Sequence, residues 1–239
     1  MSSTDAPHPQ HPHRRFAMLS KPDPNWVRSD DFHASFLIPK DDALERSLKY
    51  SDENGLPEIN VHAGQGKLLH LLARSIGAKR ILEVGTLGGY STIWFARAVP
   101  EDGQVITCEL KENFAEVARN NFEYAGVASK VKVLVGPAAE TLQTLPSDEK
   151  FDFAFIDADK ASNLTYFLQA KRLVRRGGII IVDNVIRNGT VANPDIDDEN
   201  VRGVRNLLAH IKEDKEVDAT TIGTVSEKGY DGFLYALYL

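Results

Sequence analysis

From residue 80 to the end, short runs of β-branched and aromatic residues alternate with amphipathic stretches, and few folds can accommodate that rhythm. Strand patterns fall at 80–84, 104–109, 131–135, 151–157, 178–183, 219–225 and 232–239. Helical patterns fall between them at 89–99, 112–125, 138–145, 160–174 and 199–213. Strands separated by helices of this length pair in parallel, because the helix is the crossover that returns the chain to the same end of the sheet. The expected fold is therefore α/β: a Rossmann-like, seven-stranded, mostly parallel sheet with helices on both faces. Two further helical patterns precede it. One spans 41–50 with an acidic first turn; the other spans 64–76, with Leu68, Leu69, Leu72 and Ile76 on one face and Gly77 closing it.

The length of 239 residues suits one such domain, expected over 26–239. Residues 1–25 carry five of the eleven prolines and read as a mobile N-terminal segment. His8, His11 and His13 within it match no metal-ligand spacing. With 28 Lys+Arg against 34 Asp+Glu, the net charge of −6 argues against nucleic acid and anionic membranes as partners. The single cysteine, Cys108, cannot form an intrachain disulfide and reads as a small buried apolar residue. The longest aliphatic run, 179–182, falls far short of the ~20 residues that span a bilayer. A cytoplasmic enzyme is the expectation.

In open α/β sheets, ligands bind beyond the carboxyl ends of the strands, near the point where strand order reverses. That directs attention to 85–91, Glu109, 136–138, 157–160 and 183–184. The segment ILEVGTLGGYS (81–91) runs from a buried strand through a glycine turn into a helix. It lacks the dinucleotide pattern G-x-G-x-x-G, because Leu87 stands at the second glycine position. That speaks against an NAD-type oxidoreductase, and no Gly-Lys-Ser/Thr follows to make a P-loop. Glu83 before the turn would repel a pyrophosphate and suit a cation. Glu109, at the end of the next strand, is placed to accept bonds from a ribose diol. A nucleoside with a cationic head and no phosphate meets these demands, and S-adenosylmethionine is the candidate. Glycine turns of this kind also serve packing alone.

FDFAFIDADK (151–160) brings Asp157, Asp159 and Lys160 to the next strand end. The two carboxylates are expected to face opposite sides, one toward a cofactor and the other toward a substrate or metal. IIIVDNVIRNG (179–189) delivers Asp183 and Asn184. Asp157, Asp183 and Asn184 would supply three oxygen ligands suited to Mg²⁺, Mn²⁺ or Ca²⁺. Each of these residues alone reads better as a cap or a turn; their clustering favours function. His62 is expected to cap or flank a helix, His33, His70 and His210 show no partner pattern, and Trp94 and Phe95 read as core. Trp26 is a candidate cover for a substrate site. Lys171, Arg172, Arg175 and Arg176 read as a helix C-terminal cap.

Together, GAKRILEVGTLGGYSTIWFA, GQVITCEL, GPAAETL, FDFAFIDADK, GGIIIVDNVIRNGTV and GYDGFLYALYL resemble the cation-dependent O-methyltransferases that include the caffeoyl-CoA and catechol enzymes. The likeness runs from about Val61 to the C-terminus. It implies a class I S-adenosylmethionine-dependent fold, with cofactor contacts from Val61, Glu83, Gly85, Thr86, Ser91, Glu109, Ala138, Asp157 and Asp159. It implies a metal triad of Asp157, Asp183 and Asn184, with Lys160 as general base beside Asp157. Asn188 and Arg187 fall at acceptor positions, and family members are usually homodimers. Asn163 stands where the family commonly has Tyr, and Arg187 where it commonly has Trp. Both lie near the acceptor pocket and weigh against the usual plant acyl-CoA acceptor. The implied activity is divalent-metal-dependent methylation of a vicinal diphenol, such as a phenylpropanoid or another secondary metabolite. A metal-independent small-molecule methyltransferase, an NAD-type oxidoreductase and a non-catalytic cofactor-binding dimer are the alternatives.

Overall fold

A computed structural model describes residues 22–239, so most of the segment expected to be mobile lies outside the described residues. The described chain opens with a helix that the sequence reading did not anticipate, α1 (Pro24–Leu37). Its start follows ordinary rules: Asp23 accepts the Asn25 N–H at 2.8 Å, and Pro24 sits where no intrahelical donor is needed. No residue of α1 is buried, and Phe32, Phe36 and Leu37 face outward. Without an apolar stripe facing a core, the 3.6-residue period was not there to be read.

The remaining elements follow in the expected alternation. They are α2 (Asp42–Glu53), α3 (Ala63–Ser75), β1 (Arg80–Val84), α4 (Tyr90–Ala98), β2 (Gln104–Glu109), α5 (Glu112–Tyr124), β3 (Val131–Val135), α6 (Ala138–Thr141), β4 (Phe151–Ile156), α7 (Asn163–Leu173), β5 (Val174–Val182), α8 (Glu199–Glu213), β6 (Val217–Ser226) and β7 (Gly229–Tyr238). The seven strands lie in the order β3-β2-β1-β4-β5-β7-β6, with β1 to β5 parallel and β7 inserted antiparallel between β5 and β6. Strand order reverses at β1, between β2 and β4. Period-two alternation sends Leu82, Val84, Ala154, Ile156, Ile180 and Val182 into one core, under α7 and α8. Ile81, Phe153, Phe155, Ile179 and Ile181 go to the other, under α3, α4 and α5.

Beyond the strand ends the ladder continues for one residue. Gly136 N–H donates to Glu109 O at 2.9 Å, Gly85 to Cys108 O at 3.0 Å, Asp157 to Val84 O at 2.8 Å and Asp183 to Ile156 O at 2.9 Å. The loops at all these strand ends are thus tied to their neighbours before any side chain acts. Of the basic cluster expected at a helix C-terminus, Lys171 and Arg172 do lie in the last turn of α7, whereas Arg175 and Arg176 lie beyond it, and all four are held by distant partners. Lys171 pairs with Asp214 at 2.6 Å, Arg175 with Asp152 at 2.7 Å and Arg176 with Glu216 at 2.6 Å. Arg172 donates to the carbonyls of Leu142 and Leu145 at 2.8 and 3.2 Å. Arg175 and Arg176 belong to β5, which begins at Val174, four residues before the expected start at Gly178.

Helix α8 crosses the turn 160–162 so closely that a methyl group on Gly203 would lie 2.0 Å from the Lys160 carbonyl oxygen. Helix propensity favours Ala over Gly by ~1 kcal/mol, whereas overpacking against backbone costs about 1–3 kcal/mol or more. Gly203→Ala is therefore expected to lower Tm, and thermal unfolding that showed an increase would contradict the packing argument.

Candidate active site at the strand ends

The glycine turn is built on a buried carboxylate. Glu83 lies opposite Thr107 in the β1–β2 register and is fully enclosed. It accepts hydroxyls from Ser91 at 2.6 Å, Thr92 at 2.5 Å and Thr107 at 2.6 Å, and Thr86 and Thr107 share a further hydroxyl bond of 2.6 Å. Complete burial pushes the carboxyl up to about 7, opposed by those three hydroxyls and reinforced by the charge of Asp157. Glu83 therefore organises the first turn of α4 from below.

Above it the chain makes its sharp passage. Gly85 has φ 104°, and a side chain there would meet the Asp157 carbonyl oxygen at 2.1 Å. This glycine is required by the approach of β1 to the β4 end, a demand separate from any ligand. Leu87, the residue that broke the dinucleotide pattern, takes the left-handed conformation that glycine favours, φ 50°. Its N–H donates to Glu109 Oε2 at 2.8 Å, and Lys111 N–H donates to Oε1 at 3.1 Å. Glu109 is thus held at the end of β2 beside the turn. The far side of the turn is secured by Asn121, which donates to Gly88 O at 2.9 Å, and by Ser51 of α2, which leaves Gly88 no room for a side chain. Val61 is buried just before α3, and Ala138 opens α6, half-buried above the β3 end.

The structure brings Asp157, Lys160 and Asp183 together at the adjacent ends of β4 and β5. Lys160 is buried and its Nζ stands 2.7 Å from Asp157 Oδ1. Asp183 is likewise buried. Desolvation first, then the facing charge of Asp157, holds its carboxyl well above the usual carboxylate range; Lys160, the Asn184 N–H and Gln65 act the other way. Asn184 follows with φ 55°, its N–H donating to Asp183 Oδ1 at 2.9 Å.

Asp159 and Asp157 take different partners, and strand alternation is not the reason, since residues i and i+2 of a strand share a face. Strand β4 ends at Ile156 and the chain turns into a short 3₁₀ segment, Lys160–Ser162. Asp159 caps that segment, accepting Ser162 N–H at 3.1 Å and Tyr166 OH at 2.5 Å. These bonds outweigh burial and lower its pKa, while burial and Asp159 push the Tyr166 hydroxyl up to about 12. Tyr166 is thus engaged at this turn through its cap Asp159, and Asn163 is fully buried in the first turn of α7.

His62 caps α3, its Nδ1 accepting Gly64 N–H at 3.2 Å. With Asp30 and Glu227 it forms a group of three whose ligand atoms lie within 4.8 Å of one another. Its Nδ1 lone pair is already committed to Gly64, so the ring proton sits on Nε2, facing Glu227 Oε2 at 3.1 Å. That tautomer does not offer Nε2 to a metal. The group instead links α1, the start of α3 and the β6–β7 hairpin. His70 bonds the Trp94 carbonyl at 3.0 Å, His210 approaches Asp214 at 3.5 Å, and Trp94, Phe95 and Cys108 are buried as expected. Trp26 is half-buried on α1.

Several residues at the site carried no readable signal. Gln65 of α3 lies near Asp183, and Thr92 and Thr107 complete the Glu83 cluster. Lys228, from the β6–β7 hairpin, donates to Asn60 O; burial holds its ammonium below the usual lysine range, opposed by Glu227, Glu58, Asp157 and Asp183. A pairing made across more than 160 residues leaves no local pattern.

Residues 37–229 match the family model described as O-methyltransferase. A catechol O-methyltransferase of Mycobacterium tuberculosis is 50% identical over 214 residues, which is 90% of this chain and 96% of that protein. The crystal structure of an O-methyltransferase from Bacillus cereus in complex with SAH superposes with a TM-score of 0.88 at 44% identity, covering 90% of this chain and 99% of that one. TomG, an O-methyltransferase from Streptomyces achromogenes in complex with SAM, gives a TM-score of 0.86 at 44% identity, covering 90% and 97%.

The raised pKa of Glu83 has a measurable consequence. Between its ordinary value of 4.5 and about 7, the folded chain keeps a proton that the unfolded chain releases. Its contribution thus favours folding at low pH and is lost as pH rises through 7. Glu83→Gln cannot titrate, so the stability of the parent relative to this variant should fall across that range. A pH-independent difference in denaturant midpoints would contradict the assignment.

Proposed function

The chain belongs to the O-methyltransferase family, which also holds catechol and caffeoyl-CoA enzymes, and we propose that it methylates one hydroxyl of a vicinal diphenol with the help of a divalent cation. It is an S-adenosylmethionine-dependent enzyme. The observation that carries the finer reading is the meeting of Asp157, Lys160, Asp183 and Asn184 at two adjacent strand ends, next to the glycine turn.

S-adenosylmethionine supplies an activated methyl group on a sulfonium, and Mg²⁺, Mn²⁺ or Ca²⁺ would supply Lewis acidity toward two neighbouring hydroxyls. The donors fit such a cation: Asp157, Asp183 and Asn184 offer two carboxylates and a carboxamide, all hard oxygen ligands. Gly85, Thr86 and Ser91 form the cofactor cradle with Glu83 beneath it, Glu109 meets the ribose, and Val61, Ala138 and Asp159 border it. Lys160 Nζ takes the proton of the acceptor hydroxyl. A phenol with a pKa near ~10 is almost wholly protonated at neutral pH, so this transfer is required of the site. The bond from Nζ to Asp157 Oδ1 at 2.7 Å fixes where the base points, and its burial keeps water from competing. Asn188 and Arg187 border the acceptor. The absence of the usual Trp and Tyr at Arg187 and Asn163 supports a free small diphenol over an acyl-CoA. Homodimer assembly and a cytoplasmic location belong to the same proposal, on the family resemblance and the composition.

Transfer of labelled methyl from S-adenosylmethionine to a panel of vicinal diphenols, with Mg²⁺ and with excess EDTA, tests the reading. Transfer stopped by EDTA and restored by Mg²⁺ is expected; transfer indifferent to EDTA would remove the cation. Asp157→Ala should abolish turnover while SAH binding, measured by calorimetry, survives at least in part. Lys160→Ala should lower kcat by about 10²–10⁴ with a modest change in acceptor KM, and a pure KM effect would overturn its role as base.

A further inference from the structure

Among the described residues, four non-glycine positions have positive φ, and three lie in one loop: Asn184 (55°), Arg187 (53°) and Asn188 (59°). Such conformations persist where surrounding structure imposes them. The restraint here comes from the start of β7. Val185 N–H donates to Gly232 O at 2.9 Å and Asn188 N–H to Tyr230 O at 2.9 Å. Between them, Ile186 N–H and Arg187 N–H both donate to the carboxylate oxygen Oδ1 of Asp231, at 3.1 and 2.7 Å. The same oxygen accepts Gly232 N–H at 2.8 Å. Four consecutive amides, 185–188, are therefore consumed by residues 230–232, and two of the four depend on a single side-chain atom.

The neighbouring glycine makes this approach possible. A side chain at Gly232 would lie 2.6 Å from Ile186 Cδ1 and 2.4 Å from the Ile222 carbonyl oxygen. Asp231 and Gly232 thus act as a pair, one holding the loop and the other giving it room. On the reading that Asp183 and Asn184 ligate a cation and Arg187 and Asn188 border the acceptor, we propose that Asp231 is the positioning residue that sets this loop in its binding conformation. It touches neither cation nor acceptor. It replaces ladder bonds that the β5–β7 pairing cannot continue past Val182, where the chain leaves the sheet. Because all three N–H groups converge on one oxygen, the requirement is for an acceptor at that point, and an amide oxygen meets it as well as a carboxylate.

The test is Mn²⁺ binding, followed by electron paramagnetic resonance of the free ion, together with SAH calorimetry and acceptor kinetics. The variants are Asp231→Ala, Asp231→Glu and Asp231→Asn. Loss of an outer-shell partner commonly weakens metal affinity by about 10–100-fold, and that loss is expected for Asp231→Ala and for Asp231→Glu, whose oxygen is displaced by one methylene. Acceptor KM should rise in both, the SAH dissociation constant should stay within about twofold, and Asp231→Asn should restore Mn²⁺ binding. Should Asp231→Ala fail to fold, the comparison of Glu with Asn decides the matter. Equal Mn²⁺ affinity in parent and Glu variant, or restoration by Glu and not by Asn, overturns the proposal alone. A parent protein that binds no Mn²⁺ overturns it together with the cation reading.

Discussion

Parallel strands end where their backbone amides run out of partners, and the candidate site of this protein is built around the residues that find one partner more. Gly136, Gly85, Asp157 and Asp183 each donate one bond past the regular ladder, to the strand beside them. The first residues of four loops are thereby fixed at hydrogen-bond precision by backbone alone. Everything the side chains do at the site starts from those anchored positions. The close pass of Gly85 over the Asp157 carbonyl belongs to the same arrangement: β1 and β4 stay paired to their last residues, and their ends can lie this close because Gly85 carries no side chain.

The site then distributes acids in a place that disfavours charge, and gives each a different answer. Glu83 is wrapped by three hydroxyls and serves as an internal hub. Asp157 has the Lys160 side-chain nitrogen. Asp159 has a backbone amide and the Tyr166 hydroxyl. Asp183 is buried facing Asp157, with the Asn184 N–H and Gln65 beside it, and its carboxyl is raised by that environment. Three acids satisfied within the chain and one held against a like charge is the pattern expected of a site built to receive something positive.

Much of this was legible in advance because it was written locally. Strands β1, β2 and β3 begin and end where the β-branched runs do, and α8 begins at the residue after its cap, Asp198. Glu109 ends β2, and Asp157 and Asp183 directly follow β4 and β5, whose ends fall one residue from the expected ones, so locating the strands also located these acids and the neighbouring Asn184. Helix α1 escaped notice because it buries nothing, and of the basic run only Lys171 and Arg172 stand in a helix's last turn; the partners Asp152, Asp214 and Glu216, distant in sequence, were not legible. Asp231 gave no sign for the same reason: the two loop amides it holds lie more than 40 residues away.

The sequence by itself therefore determined the layer architecture, the two cores and the roster of acids at the strand ends, because periodicity and turn chemistry are properties of neighbouring residues. Only the tertiary structure decided what each acid is for. Whether a carboxylate becomes a hub, a cap, a clamp or half of an ion pair depends on which hydroxyls, amides and ammonium groups the fold carries to it from elsewhere, and on how much water it then retains. Those quantities exist only once the strands are side by side.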